Sequence, residues 1–296
     1  MSVATIGAAQ LPGARILRRP RLRLMPTLPL IVLALIVLAA VFAPLLTSYD
    51  PVRNDIANSL YPPFWMEGGS TEHLLGTDNF GRDVFTRLVY GARVSVLLAV
   101  ISMVIAVVVG ATVGVVAGLR GGSVDALLMR LVDMILAIPS FLVALVFAVA
   151  VGPSFRNLVL ILGFLIWPRI ARVVRGETLL LKGQDYIKYA RSCRVPTWLI
   201  LLRHVLPNVL PVLLVATTLE VGEVILLEAG LSFLGAGVPA PQASWGVMIA
   251  DGRALVATGW WIALFPGLAI TVTVLSTNMV GDWIRDRTDP KSRDGR

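Results

Sequence analysis

Residues 92–118 read ARVSVLLAVISMVIAVVVGATVGVVAG, a run whose single charge, Arg93, sits at its edge. A helix of about 20 apolar residues spans the roughly 30 Å hydrocarbon core of a bilayer, and this run is long enough to do so. Comparable runs recur at roughly Leu28–Leu46, Leu131–Val151, Leu158–Val174, Val209–Phe233 and Trp260–Asp282. Six transmembrane helices are therefore expected in an all-α, polytopic membrane protein. A membrane barrel is excluded, because its strands would alternate in polarity where these runs are continuous. Charged residues make up 15% of the chain, well below the roughly 25% of soluble domains.

These spans divide the chain. Residues 1–27 form a basic tail, 28–46 the first helix and 47–91 a polar segment rich in turn residues. Residues 92–282 form a five-helix core holding a charged loop at 175–208, and 283–296 form a second basic tail. The apolar run after the first tail lacks a small-residue cleavage site and reads as a retained span.

The net charge of +8 would suggest nucleic acid in a soluble chain, but here it sets topology. Arg15, Arg18, Arg19, Arg21 and Arg23 lie in the first tail, and Arg120 and Arg130 between the second and third spans. The loop adds Arg169, Arg172, Arg175, Lys182, Lys188, Arg191, Arg194 and Arg203. The second tail adds Arg285, Arg287, Lys291, Arg293 and Arg296, so twenty of the 26 basic residues fall on one side. The bias of lysine and arginine toward the cytoplasm puts both tails and the loop there.

Enzymatic chemistry has little to work with. The chain lacks a GxxxxGK[ST] phosphate loop, so it is expected not to hydrolyse ATP in the usual way. His73 and His204 are far apart in sequence, and the one cysteine, Cys193, can form neither an intrachain disulfide nor a thiolate zinc site. Three acids stand in the fifth span: Glu220, Glu223 and Glu228. Ionisable groups at membrane depth face a bundle interior or a pathway. These could line a translocation route, attracting a substrate ammonium group, or could be hydrogen-bonded between helices. Steps of about 100° per residue let Glu220 and Glu228 share a face, with Glu223 nearer its margin. Gly110, Gly114 and Gly118 form a small-residue stripe for close helix packing. Pro139 and Pro168 interrupt their spans as kinks or hinges.

The stretch Gln184–Asn208, QDYIKYARSCRVPTWLILLRHVLPN, is a cationic insert between apolar runs. Tyr186, Tyr189, Ala190 and Cys193 recur at the spacing of one helix face. Val195-Pro196 should end that helix, and Leu199–Leu202 then read as a second short helix leading to Pro207. The residues alone allow an interfacial anchor or a tyrosine face inserted into a partner's groove.

Five segments resemble the permease subunits of binding-protein-dependent ABC importers of dipeptides, oligopeptides or nickel, the C-type dipeptide permease above all. They are HLLGTDNFGRDVFTRLVYGARVSV (His73–Val96), VDALLMRLVDMILAIPS (Val124–Ser140), RHVLPNVLP (Arg203–Pro211), LLEAGLSFLGAGVPAPQASWGVMIADGR (Leu226–Arg253) and FPGLAITVTVLSTNMVGDWIRDRTDP (Phe265–Pro290). The resemblance implies a type I ABC importer permease fold in a bacterial inner membrane, without covalent chemistry. It implies a homologous B-type permease partner, an extracytoplasmic substrate-binding protein and two ABC ATPase subunits that bind ATP and magnesium. This chain itself would carry no cofactor. It also implies that the insert is a coupling helix docking into an ATPase, through Asp185, Tyr186, Lys188, Tyr189, Ala190, Arg191, Arg194 and Pro196. Lys188 and Tyr189 stand where the family often has Glu-Ala, and Arg194 stands at its usual glycine. A left-handed arginine would cost about 1–2 kcal/mol, unless Pro196 supplies the bend by another geometry. The competing readings are a secondary transporter using the intramembrane glutamates for proton coupling, and an intramembrane hydrolase.

Overall fold

The computed structural model describes residues 26–288, which among them form helices and one isolated bridge, Thr77 to Asp83. The expectations for Arg15, Arg18, Arg19, Arg21, Arg23, Lys291, Arg293 and Arg296 lie outside the described residues. Helix α1 (Thr27–Val41) breaks at Phe42 and resumes as the single turn α2 (Ala43–Leu46), together filling the first expected span. Helix α3 (Val84–Arg120) starts where Asp83 accepts the Thr86 N–H at 2.7 Å and stops at Gly121, whose φ is +69°. Helices α4 (Gly122–Leu136) and α5 (Ser140–Val151) are followed by α6 (Phe155–Lys182) and the surface helix α7 (Asp185–Ser192). The single turn α8 (Thr197–Ile200) runs through a π-wound turn, Leu201–Val205, into α9 (Leu206–Phe233). Helices α10 (Trp245–Gly252) and α11 (Trp261–Thr288) complete the order. By length and composition α3, α6, α8–α9 and α11 can each cross a bilayer, and the bent pair α4–α5, counted as one span, is a fifth. The shorter apolar α1, with α2, occupies the first of the six expected spans.

The third expected span, Leu131–Val151, is not one continuous helix: α4 and α5 meet at 81° across residues 137–139. Pro139 forces this, since proline drives Ile138 out of the helical region and the chain restarts at Ser140. Pro168, by contrast, does not interrupt α6. A proline removes one backbone donor, and a helix packed along its length tolerates that loss in a membrane bundle. Likewise Leu199–Leu202 is not a separate helix, because the π-wound turn carries the chain without a break into α9, with Pro207 directly after that turn.

Helix α6 also runs eight residues past the expected end at Val174, so Arg175 and Lys182 are helical, as are Arg169 and Arg172, which were counted with the loop's charges. The helix survives these charges because each has a partner. Arg172 donates to Asp133 at 2.6 Å, and Arg175 grips Asp125 at 2.5 and 2.7 Å. Lys182 caps the end of α3 through the Gly118 and Leu119 carbonyls at 3.3 and 2.9 Å. Arg130, expected in a connection, likewise lies within α4.

The core of the bundle is the seam between α3 and α6. A Cβ on Gly110 would lie 2.6 Å from the Trp167 carbonyl, and one on Gly114 2.5 Å from that of Ala171. The small-residue stripe is therefore a contact surface where two backbones nearly touch.

Segment 47–83 folds over one end of the bundle together with α10 and the start of α11. Val84, Met248, Trp261 and Ile262 form a second buried cluster there. The turn at Gly81 admits only glycine, since an added Cβ would meet the Asp55 carbonyl oxygen at 1.6 Å.

Candidate functional site

Helix α7 is short, polar outside and pinned inside. Ile187 is fully buried, while Lys188, Arg191 and Cys193 are exposed. Tyr189 is 71% exposed and Tyr186 43% exposed, the latter ring lying against that of His204 with centroids 5.7 Å apart. Asp185 accepts from Lys188 at 2.9 Å. The sequence pattern placed Ala190 with the tyrosines and overlooked Ile187. The structure puts Ala190 half-buried against the core, and Ile187 is the anchor.

The end of α7 explains the arginine at the expected glycine position. Arg194 has φ +55°, so the left-handed bend is kept and Pro196 does not replace it. The Arg194 N–H donates to the Arg191 carbonyl at 2.9 Å, and the Val195 N–H to the Ala190 carbonyl at 3.0 Å. These two bonds, with Val195 and Ala190 both packed on the core, are the Schellman arrangement that closes helices. Pro196 plays a different part: its carbonyl receives the Leu199 and Ile200 N–H groups at the start of α8.

A second polar group lies about half-way along α6 and α9. Arg169, the fifteenth of 28 residues in α6, donates to Glu220 at 3.2 Å and also to Glu223. Its other terminal nitrogen reaches the Ser140 hydroxyl at 3.3 Å, at the first residue after the α4–α5 bend. Sequence reasoning found both glutamates but assigned Arg169 to a loop. One guanidinium gathers Glu220 and Glu223, one helical turn apart, while Glu228 takes two serine partners of its own.

Glu228 is fully buried. The hydroxyls of Ser232 and Ser244 each donate to its Oε1 at 2.7 Å. Ser244 Oγ in turn accepts the Val247 N–H at 3.2 Å, capping α10. Glu228 thus ties α9 to the start of α10.

A third charged group closes the end capped by segment 47–83. Asp78 is fully buried and accepts from Arg87 and, at 2.7 Å, from Arg82 Nε. Both arginines also donate to Asp251 at the end of α10, each at 3.1 Å. The aspartate and arginines of the GTDNFGRDVFTR stretch were visible in the sequence, but their partner Asp251 was not.

Residues 110–294 match the family described as binding-protein-dependent transport system inner membrane component, and residues 28–63 match the N-terminal transmembrane domain of oligopeptide transport permease C. The chain is 41% identical over 282 residues to a putative peptide transport system permease protein of Brucella suis, covering 95% of this chain and 91% of that one. It is 42% identical over 262 residues to the dipeptide transport system permease protein DppC of Escherichia coli K12, covering 88% and 87%. Among solved structures, an inward-facing conformation of the MetNI methionine ABC transporter superposes with a TM-score of 0.57 at 20% identity, over 69% of this chain and 96% of that one. At that identity the likeness is one of fold.

Proposed function

The chain belongs to the binding-protein-dependent transport system inner membrane components, and from that premise we propose that it forms half of the membrane pathway of an ATP-driven importer of dipeptides or short peptides. It is a membrane permease with the type I ABC importer fold. Its partners are a homologous B-type permease, two ABC ATPase subunits that bind ATP and magnesium, and a substrate-binding protein that delivers cargo from outside. Both tails and α7 lie in the cytoplasm. Segment 47–83 and α10 then form the outer lobe of a bacterial inner-membrane protein.

The observation that carries this reading is α7, pinned by Ile187 and presenting Tyr186, Tyr189, Lys188 and Arg191 to the outside. Asp185, Ala190, Arg194 and Pro196 shape the same element. An amphipathic helix held this way fits a groove on a partner. ATP binding by the partners draws two such helices together and rocks the permease outward, and hydrolysis resets it. The bias acts through differential affinity for the two states. Glu220 and Glu223 belong to the pathway wall in this scheme, while Glu228 supports the α9–α10 junction.

The test is co-purification of the five-chain complex and measurement of its ATPase rate with peptide-loaded binding protein. A stable assembly whose rate rises with loaded binding protein supports the proposal. Uptake that persists without the ATPases and collapses with a protonophore alone would instead support a proton-coupled secondary transporter.

A further inference from the structure

The Arg169 group has four properties that a packing contact does not need. It carries two carboxylates against one guanidinium, so one negative charge is in excess. Its side chains are not sealed: Arg169 is 31% accessible, Glu220 18% and Glu223 36%, whereas Glu228 on the same helix is fully buried. It sits half-way along α6 and α9, where an accessible charge cannot face hydrocarbon and must face water or protein. It also sits at a broken span. Ser140 begins α5 just after Pro139, and no side chain caps that helix start. Irregular backbone at membrane depth belongs beside cavities or protein, and an uncapped helix start carries partial positive charge.

One side of this group is therefore positive, made of Arg169 and the start of α5, and the other is negative, made of Glu220 and Glu223. We propose that Arg169, Glu220, Glu223 and Ser140 form a recognition station for zwitterionic cargo inside the membrane, in which the internal ion pair is exchanged for the two ends of a peptide. The cargo carboxylate replaces a glutamate on Arg169, with Ser140 beside it. The released glutamate takes the cargo ammonium. Each end of the cargo meets an opposite charge during the exchange and Arg169 keeps a carboxylate throughout, so the cargo crosses mid-membrane without being stripped of counter-charge. The excess carboxylate makes a free amino end, or an added cationic side chain, the preferred feature.

This rests on the peptide-importer reading above, and the experiment separates the two. The assembled complex is prepared with Cys193→Ser and Ser140→Cys in this chain, and modification of the new thiol by a small water-soluble thiosulfonate is followed by mass spectrometry. No binding protein is added, so its own selectivity plays no part. A free dipeptide such as Ala-Ala should slow modification, half-protecting at about tenfold lower concentration than a blocked analogue, the effect of one well-made charge-assisted contact. N-acetyl-Ala-Ala and Ala-Ala-amide should each protect far less. Glu223→Gln should erase the advantage of the free amino end, and Arg169→Lys should weaken that of the free carboxylate, with gel filtration confirming assembly. Equal protection by all three compounds, no protection by any, or a thiol that never reacts because the partner permease seals it would each overturn the proposal. Failure of the parent complex to import any peptide would overturn the importer reading instead.

Discussion

Arg175 and Asp125 meet through two parallel hydrogen bonds, of 2.5 and 2.7 Å, that join the C-terminal part of α6 to the first turn of α4. This fork holds α4 against α6 while the bend at Pro139 leaves α5 free to lie at another angle. Asp125→Asn should lower the stability of the complex by about 1–2 kcal/mol, between an exposed pair and a fully desolvated one. A double-mutant cycle with Arg175→Met, read by thermal unfolding, checks it. Strict additivity would show that the fork contributes nothing.

Arg194 should be replaceable. Its left-handed backbone costs about 1–2 kcal/mol that glycine avoids, offset in part by the greater freedom glycine brings to the unfolded chain. Arg194→Gly is expected to be neutral or up to ~1 kcal/mol stabilising, whereas Arg194→Val should loosen α7. Hydrogen exchange at the Arg194 and Val195 amides reports this directly. Faster exchange in the glycine variant would contradict it.

Two glycines should respond in opposite directions. Gly114→Ala drives a methyl group against the Ala171 carbonyl and should cost about 1–3 kcal/mol. Gly267→Ala meets nothing within 4 Å and should gain up to ~1 kcal/mol of helix propensity. Comparing the thermal midpoints of the two purified variants decides whether the α3–α6 seam is as tight as described.

Cys193 is exposed beside α7, and it is the chain's lone cysteine. A membrane-impermeant thiol reagent should modify it in inverted vesicles and not in intact cells. Bound ATPase subunits should slow that reaction. Modification from outside would reverse the orientation of the whole chain.

The spans were legible because hydrocarbon demands long apolar runs, and the break at Pro139 was legible as a proline in such a run. The charged sites were harder. Arg169 follows directly on an apolar run and looks like a topology signal, because its acid partners lie 51 and 54 residues further on. Asp125, the partner of Arg175, lies 50 residues earlier. Ile187 was missed because one buried residue in an eight-residue polar helix leaves no period to detect. Arg194 was legible as an anomaly, and only the backbone shows that the left-handed bend survives without glycine.

The Asp78–Arg82–Arg87–Asp251 group also bears on how the protein is made. Arg87 can pair with Asp78 as soon as both leave the ribosome, since they are nine residues apart. Asp251 arrives 164 residues after Arg87, on the order of ten to thirty seconds later at ordinary rates of translation. Until then two arginines share one aspartate, so the group has one positive charge in excess. Arrival of the second aspartate completes the group, so a nascent chain stalled before α10 differs electrostatically from a finished one.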